Sequence, residues 1–563
     1  MTYTPPVADQ RFVLDHVVRI DELAGHNRFA EATSDLVDAI LEGAGAFAAG
    51  EFAPLNRVGD EVGARWTPEG VTMPPGFREA YRAYVEGGWG TLAGPPDQGG
   101  QGLPLVLATV VMEDLGSANM AFSLVTMLSA GAVEALRHHG SPDMQAEWLP
   151  KLVTGEWTGT MNLTEPQAGS DVGALKSRAE PAGNGGWRIS GQKIFITFGE
   201  HDLADNIVHL VLARTPGAPP GTKGISLFLV PKILPDGTRN DLRCVSIEHK
   251  LGIHASPTCV MAFGDMGECR GWLIGEEMAG MRAMFTMMNN ARLNVGLQGV
   301  SIGERATQAA LAYAAQRVQG MREGRPAAIA DHPDVRRMLL RMSSLTQAAR
   351  SLCYYAAGQT DRATLGDKSA QARADLLTPL VKAYGTDVGC EVASLGIQVH
   401  GGMGYVEETG AAQHLRDVRI SPIYEGTNGI QAADLVGRKL GLEGGGTLRR
   451  LLADIRAEAG EGELAALADV AEDAAERLLA MTADDRLAGS YPFLTLLSVL
   501  VCGWLMKRQL DALESPIIAG DRRFAAAKRA ACLYYLDQVV PEAAGLAAQA
   551  TAGSGLLYSF DPN

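Results

Sequence analysis

Glu425 stands where this chain is best arranged for proton transfer. It lies in Ile423-Tyr424-Glu425-Gly426-Thr427-Asn428-Gly429-Ile430-Gln431, between an apolar arm and a glycine turn. A carboxylate accepts a proton from carbon when apolar surroundings lift its pKa toward neutrality, and the charge that develops on the substrate then needs hydrogen-bond donors. A Glu beside Gly426 can meet both needs. The side chain turns inward, and the flexible turn lets backbone amides approach an oxygen. Glu407 and Glu408 lack that setting and read as solvated. Upstream, Leu163-Thr164-Glu165-Pro166-Gln167-Ala168-Gly169-Ser170-Asp171 is bent by Pro166 and Gly169. Its amides and the Thr164 and Ser170 hydroxyls can therefore face a ligand instead of a strand neighbour. Gln398-Val399-His400-Gly401-Gly402 has two glycines that permit close backbone approach, with His400 read as a packing or hydrogen-bonding residue.

The elements needed to position these segments follow from pattern. Residues 31–47, 103–115 and 118–139 carry apolar side chains at helical spacing, and Ser141-Pro142-Asp143 supplies an N-cap, a first-turn proline and an early acid. From about Trp157 the texture changes to short β-rich runs at 187–190, 193–198, 207–213, 225–230 and 244–249, expected to form an antiparallel sheet. Helices resume over 284–318, 333–359 and 368–395. Gly444-Gly445-Gly446 reads as a hinge into a further helical region, where Leu464, Leu467, Ala471, Ala474 and Leu478 form an apolar seam. The expected class is mainly α with a central β domain. The expected domains are an α-helical domain over 1–158, a β domain over 159–283, a helical bundle with Glu425 over 284–442, and a helical extension over 443–563.

At 563 residues the chain exceeds one hydrophobic core, and 46% apolar with 20% charged residues is a globular composition. Lys plus Arg is 49 against 65 for Asp plus Glu, a net charge of -16 that argues against nucleic acid as a partner. The seven cysteines form no CxxC pair and the eleven histidines show no ligand spacing, so neither a disulfide framework nor a metal site is indicated. The start, Met1-Thr2-Tyr3-Thr4-Pro5-Pro6, lacks the pattern of a signal peptide, and a cytoplasmic location is expected. Residues 491–506 are uncharged but shorter than the roughly 20 apolar residues that span a bilayer, and read as a buried helix instead of a membrane contact.

In this order, the 163–171, 398–405 and 423–431 segments resemble the flavin-dependent acyl-CoA dehydrogenases over roughly 88–437. The added C-terminal region is similar to the larger branch that includes the 3-methylmercaptopropionyl-CoA dehydrogenases. His249-Lys250-Leu251-Gly252-Ile253-His254-Ala255-Ser256-Pro257-Thr258 and Val295-Gly296-Leu297-Gln298-Gly299 favour that branch. The resemblance implies the acyl-CoA dehydrogenase fold and the oxidation of an acyl-CoA thioester to its trans-2-enoyl-CoA, on 3-methylthiopropionyl-CoA or a fatty acyl-CoA. Glu425 would be the base, and FAD would take the β-hydrogen as hydride. Implied FAD contacts are Leu163, Thr164, Gly169, Ser170, Phe195, Ile196, Thr197, Arg317, Gln319, Gln398, Gly401, Gly402, Thr427 and Asn428. Ser170, Asn289, Arg292 and Gly426 would contact substrate. Asn289 replaces an Asp common in the family, and the usual Phe-Gly after Gln319 is shortened to Gly320, so these two positions depart from the pattern. The resemblance further implies an electron-transfer flavoprotein as acceptor and a homodimer at least. An oxygen-using acyl-CoA oxidase and a catalytically silent flavoprotein remain open as alternatives, whereas Glu425 argues against nitroalkane-oxidase-like members, which use an Asp base.

Overall fold

The computed structural model describes residues 3–183, 185–514 and 522–562; Met1 and Thr2, part of the segment expected to lack a leader, lie outside them. The chain forms two compact units, one of Phe47–Leu103 and Ala118–Ala291, the other of Met1–Ala46, Pro104–Ser117 and Arg292–Asn563.

The first unit is built on a sheet. Its strands run in the order Trp157–Asn162, Asn206–Ala213, Ser226–Pro231, Arg270–Ile274, Trp187–Thr197, Thr258–Phe263 and Leu242–Ile247, with Arg178–Pro181 added against Trp187–Thr197. Ile189, Val211, Phe228, Val230, Met261 and Phe263 form its core. The expectation of an antiparallel sheet needs one correction. Trp157–Asn162 runs parallel to Asn206–Ala213, so the sheet is mixed. The intervening chain is long enough for the crossover that parallel pairing requires, and strand propensity carries no information about direction. The runs expected at 187–190 and 193–198 are one strand, Trp187–Thr197. Gly191 keeps it continuous, because a Cβ there would lie 2.9 Å from the Ser177 Cα. The helices of this unit start where their caps dictate. Asn119 accepts from the Phe122 N–H at 3.1 Å and Ser141 from the Met144 N–H at 3.2 Å, opening Met120–His139 and Pro142–Thr154.

The second unit is helical. The helix expected from 103 begins at Leu105, because the Asp361 carboxylate, distant in sequence, accepts the Leu105 and Val106 N–H groups at 2.6 and 3.0 Å. Three long helices follow: Gly280–Gln316, in which the division between the units falls, Pro333–Thr364 and Lys368–His400. The first stops two residues short of expectation, where a hairpin of Val318–Arg322 and Arg325–Ala328 begins. Gly444 and Gly445, expected as part of a hinge, sit in a tight turn with positive φ of 64° and 82°.

The extension packs on the same helices. Its expected seam is buried from Leu464 to Leu478. The Ser490–Ala512 helix lies against both Pro333–Thr364 and Lys368–His400. Tyr384 and Tyr535 share a hydroxyl hydrogen bond of 2.7 Å, and the Ser344 hydroxyl donates to the Ala531 carbonyl at 2.8 Å. A buried ionic knot joins the extension to the N-terminal segment. Arg350 donates to Glu113 and Glu304 at 2.7 Å and to Asp9 at 2.5 Å, and Lys528 reaches the other Asp9 oxygen. Both Ser490–Ala512 and Met120–His139 are long and apolar enough to cross a membrane by length and composition, yet most of each is buried within the fold.

Candidate functional site

In the sheet unit, the 163–171 loop and the Trp187–Thr197 strand are fastened to each other. The Ile194 N–H donates to the Thr164 carbonyl at 2.9 Å, and Lys193 Nζ donates to the Leu163 carbonyl at 3.0 Å. Lys193 is fully buried and also donates to Glu165 Oε1 at 2.8 Å. Glu165 collects further donors: the Ser177 hydroxyl at 2.6 Å, and the Ser177 and Lys176 N–H groups at 3.0 and 2.6 Å. Burial alone would raise the Glu165 pKa. The Lys193 charge and these hydrogen bonds bring it down to about 2. The loop is thereby fixed with Gly169 and Ser170 exposed.

On the strand, the register breaks between Lys193 and Ile196. Ile196 is buried and Thr197 half-buried, each paired to the next strand, while Phe195 projects outward. Its φ is 59°, in the left-handed region that costs a bulky residue energy, and the residue is 57% exposed. A large apolar ring held outward in a strained backbone is a platform for a flat ligand.

In the helical unit, Glu425 is half-buried and has a φ of 57°. Its turn is tied down from several sides. The Asn428 N–H donates to the Pro422 carbonyl at 2.9 Å, Tyr424 donates its hydroxyl hydrogen bond to Gln298, and Thr427 caps the next helix by accepting from the Ile430 N–H at 3.2 Å. Gly426 has a φ of 80°, and a Cβ there would meet Gln431 Nε2 at 2.9 Å. No described residue donates a hydrogen bond to the Glu425 carboxylate, and burial lifts its pKa to about 7 against the attraction of Arg292 and Lys382. Arg292 is buried and faces Asp434 at 3.9 Å. Asn289, on the same helix, is exposed.

Lys382 and Asp387 carry little signal in the sequence. Lys382 sits in the apolar run Leu380-Val381-Lys382-Ala383-Tyr384, a lone cation whose only signal is its lack of polar company. It is fully buried and donates to Asn428 Oδ1 at 2.8 Å. Asn428, expected at the cofactor, has its side-chain amide committed within the protein, donating also to Asp387 at 2.9 Å and Thr386 at 3.0 Å.

The remaining predicted residues gather at helix ends. Arg317 and Gln319 follow the long helix and are exposed, as are Gln398, Gly401 and Gly402 at the end of Lys368–His400. A Tyr313–His400 stack, with ring centroids 4.4 Å apart, brings these two segments together, and His400 Nδ1 bonds to the Gly396 carbonyl at 2.7 Å. A Cβ at Gly401 or Gly402 would meet nothing within 4 Å, so the backbone there is open to a ligand. Glu407 and Glu408 are exposed as expected, Glu407 pairing with Arg416 at 2.8 Å.

Family models for the acyl-CoA dehydrogenase N-terminal domain, middle domain and C-terminal domain match residues 35–156, 160–266 and 278–440. A further model, acetyl-CoA dehydrogenase C-terminal like, matches 447–561. The 3-methylmercaptopropionyl-CoA dehydrogenase of Ruegeria pomeroyi is 46% identical, covering 96% of this chain and 97% of its own. The chain belongs to the acyl-CoA dehydrogenase family. The broad-specificity linear acyl-CoA dehydrogenase FadE5 of Mycobacterium tuberculosis is 33% identical over 96% of each chain. Among solved structures, Caenorhabditis elegans ACDH-11 in complex with C11-CoA aligns with a TM-score of 0.77 at 19% identity, over 96% of this chain and 92% of that one, a likeness of fold. The protein is therefore an FAD-dependent oxidoreductase acting on a CoA thioester. Within the sheet unit the outward Phe195 ring is a flat apolar surface of the kind an isoalloxazine stacks on, and within the helical unit the backbone at Gly401 and Gly402 is open.

Proposed function

We propose that Glu425 is the base that removes the α-proton of the acyl-CoA, yielding the trans-2-enoyl-CoA. The observation that carries this is a half-buried carboxylate at positive φ, given no hydrogen bond by the described residues and held near neutrality. Such a group is deprotonated often enough to act and basic enough to take the proton. Bound FAD supplies the acceptor for the β-hydrogen. The 163–171 loop and Phe195 to Thr197 would hold the flavin, with Thr427 and, from a second copy, Arg317, Gln319, Gln398, Gly401 and Gly402 completing its contacts. Arg292, Gly426, Ser170 and Asn289 would orient the thioester, since alignment of the reacting carbon is what the scaffold contributes.

The relative at 46% identity supports 3-methylthiopropionyl-CoA as substrate, and the relative at 33% supports linear acyl-CoAs. Reduced enzyme would pass electrons to an electron-transfer flavoprotein. The exposed Arg317 and Gln398 segments would complete the cofactor site of a second copy, making a cytoplasmic homodimer, and the extension would cover in cis a helical face that could otherwise bind more copies. The test is a turnover screen over butyryl-CoA, longer linear acyl-CoAs and 3-methylthiopropionyl-CoA, with the Glu425→Gln variant alongside and light scattering on the intact chain. Peroxide release in air without an added acceptor would move the assignment to an oxidase. Absence of turnover on every thioester would move it to a silent flavoprotein, and a stable tetramer would remove the dimer.

A further inference from the structure

The Lys368–His400 helix carries two charged side chains toward the segment that follows Glu425, and neither is explained by the reaction as proposed. Lys382 is fully buried, and among the described residues its one hydrogen-bond acceptor is Asn428 Oδ1 at 2.8 Å. The Asn428 amide group donates in turn to Asp387 Oδ1 at 2.9 Å, to the Thr386 hydroxyl at 3.0 Å and to the Ala383 carbonyl at 3.2 Å. The second Asp387 oxygen, Oδ2, accepts from the Tyr491 hydroxyl at 2.5 Å. Tyr491 belongs to the C-terminal extension, near the start of Ser490–Ala512.

The chemistry of the chain fixes its direction. Burial pulls the Lys382 pKa down to about 7 and pushes Asp387 up; with Lys382 protonated and Asp387 ionised, the first can only donate and the second only accept, so the Asn428 amide has one orientation that satisfies both ends. Asn428 opens the helix immediately after the Glu425-Gly426-Thr427 turn. Its position sets where that turn can lie, because its N–H also closes the turn onto the Pro422 carbonyl. We propose that the C-terminal extension is part of the machinery around the base: Tyr491, acting through Asp387, Asn428 and Lys382, positions the turn that carries Glu425. The proposal rests on the reading of Glu425 as the base. Tyr491, Asp387, Asn428 and Lys382 are positioning residues.

The charged surroundings give this relay an electrostatic consequence. Glu425 feels Arg292 from the Gly280–Gln316 helix and Lys382 from Lys368–His400, with the Tyr424 hydroxyl group beside it. Arg292 is itself offset by Asp434 and repelled by Arg438, and Asp387 feels Lys382 and Arg419 besides its bonds to Asn428 and Tyr491. Lys382, itself lowered by burial to about 7, favours the ionised base while it is protonated, so its removal raises the pH at which the base becomes active.

The experiment compares wild type, Tyr491→Phe, Lys382→Met and Glu425→Gln as holoenzymes. It reads anaerobic flavin reduction by butyryl-CoA and by 3-methylthiopropionyl-CoA across pH, together with hydrogen exchange of residues 422–431. Tyr491→Phe is expected to slow reduction about 3- to 10-fold at nearly unchanged thioester affinity and to speed exchange in that segment. Lys382→Met is expected to move the pH midpoint of reduction upward by about one unit. Tyr491 is partly exposed and its substitution keeps the ring, so it decides the question even where Lys382→Met fails to fold. Loss of reduction in Glu425→Gln, with wild-type rate, midpoint and exchange in Tyr491→Phe, overturns the relay and leaves the base intact. Wild-type reduction in Glu425→Gln overturns the base itself.

Discussion

Two buried glutamate–lysine settings in this protein, one in each unit, end in opposite states. Glu165 receives Lys193 directly at 2.8 Å, along with the Ser177 hydroxyl and two backbone N–H groups, and sits at about 2. Glu425 has Lys382 and Arg292 as electrostatic neighbours, but the Lys382 ammonium is bonded to Asn428, and the carboxylate sits at about 7. The difference teaches that a nearby cation does not by itself decide what a buried carboxylate does. The Lys193 charge in direct contact, together with directed hydrogen bonds, turns Glu165 into a fixed anion that holds a loop. Their absence at Glu425 leaves a group whose proton affinity matches the task of taking a proton from carbon.

The sharpest way to break this comparison is to neutralise each acid's role in turn. Glu425→Gln should lower substrate-driven flavin reduction by about four orders of magnitude while flavin stays bound, because the amide keeps shape and loses basicity. Stopped-flow absorbance reads this directly. Lys193→Met should instead destabilise the sheet unit by about 3–5 kcal/mol, since it leaves Glu165 as a buried charge without its partner. Urea denaturation and flavin retention would report it. In whatever holoenzyme survives, the pH midpoint of flavin reduction should not move; if it does, the two carboxylates are not separate in function.

The pH responses separate the pair further. Glu425 must be ionised to act, so flavin reduction should rise with pH through a midpoint near 7, by about tenfold between pH 6 and 8. Glu165 has a depressed folded pKa, so its stabilisation is present in full above the ordinary glutamate value and is lost as pH falls toward about 2. Acid titration of thermal stability checks this second limb. The smallest effect expected is that of Phe195→Ala, which keeps a Cβ at the same positive φ and so leaves the backbone strain in place while it removes the outward ring. FAD affinity should weaken about 2- to 10-fold, read by fluorescence titration of apoprotein with FAD, with little change in the melting temperature of the apoprotein.

What was legible in the sequence shares one physical property: it is local. The Ser141 cap, the Leu464 to Leu478 seam and the Glu425-Gly426 turn depend on residues within a few positions of each other, so propensity, periodicity and turn chemistry suffice to place them. The fold class was legible for the same reason, because helical and β-rich stretches alternate in long blocks. The parallel pairing of Trp157–Asn162 was not, since it joins segments whose only link is tertiary. Nor was the start of the Leu105–Ala118 helix, which Asp361 caps from far along the chain.

The site divides along the same line. That an acid stands in a glycine turn beside an apolar arm follows from covalent neighbours alone. Folding set which acid is held near neutrality and which is a fixed anion. Glu165 lies in an equally distinctive loop, and only folding brought Lys193 and Ser177 onto it. Lys382 reads in sequence as a stray cation in an apolar helix, and only folding set it beside Glu425 and bound it to Asn428, 46 positions away. A pKa is fixed by what lies within a few ångströms in space, and for a buried group most of that comes from distant parts of the chain.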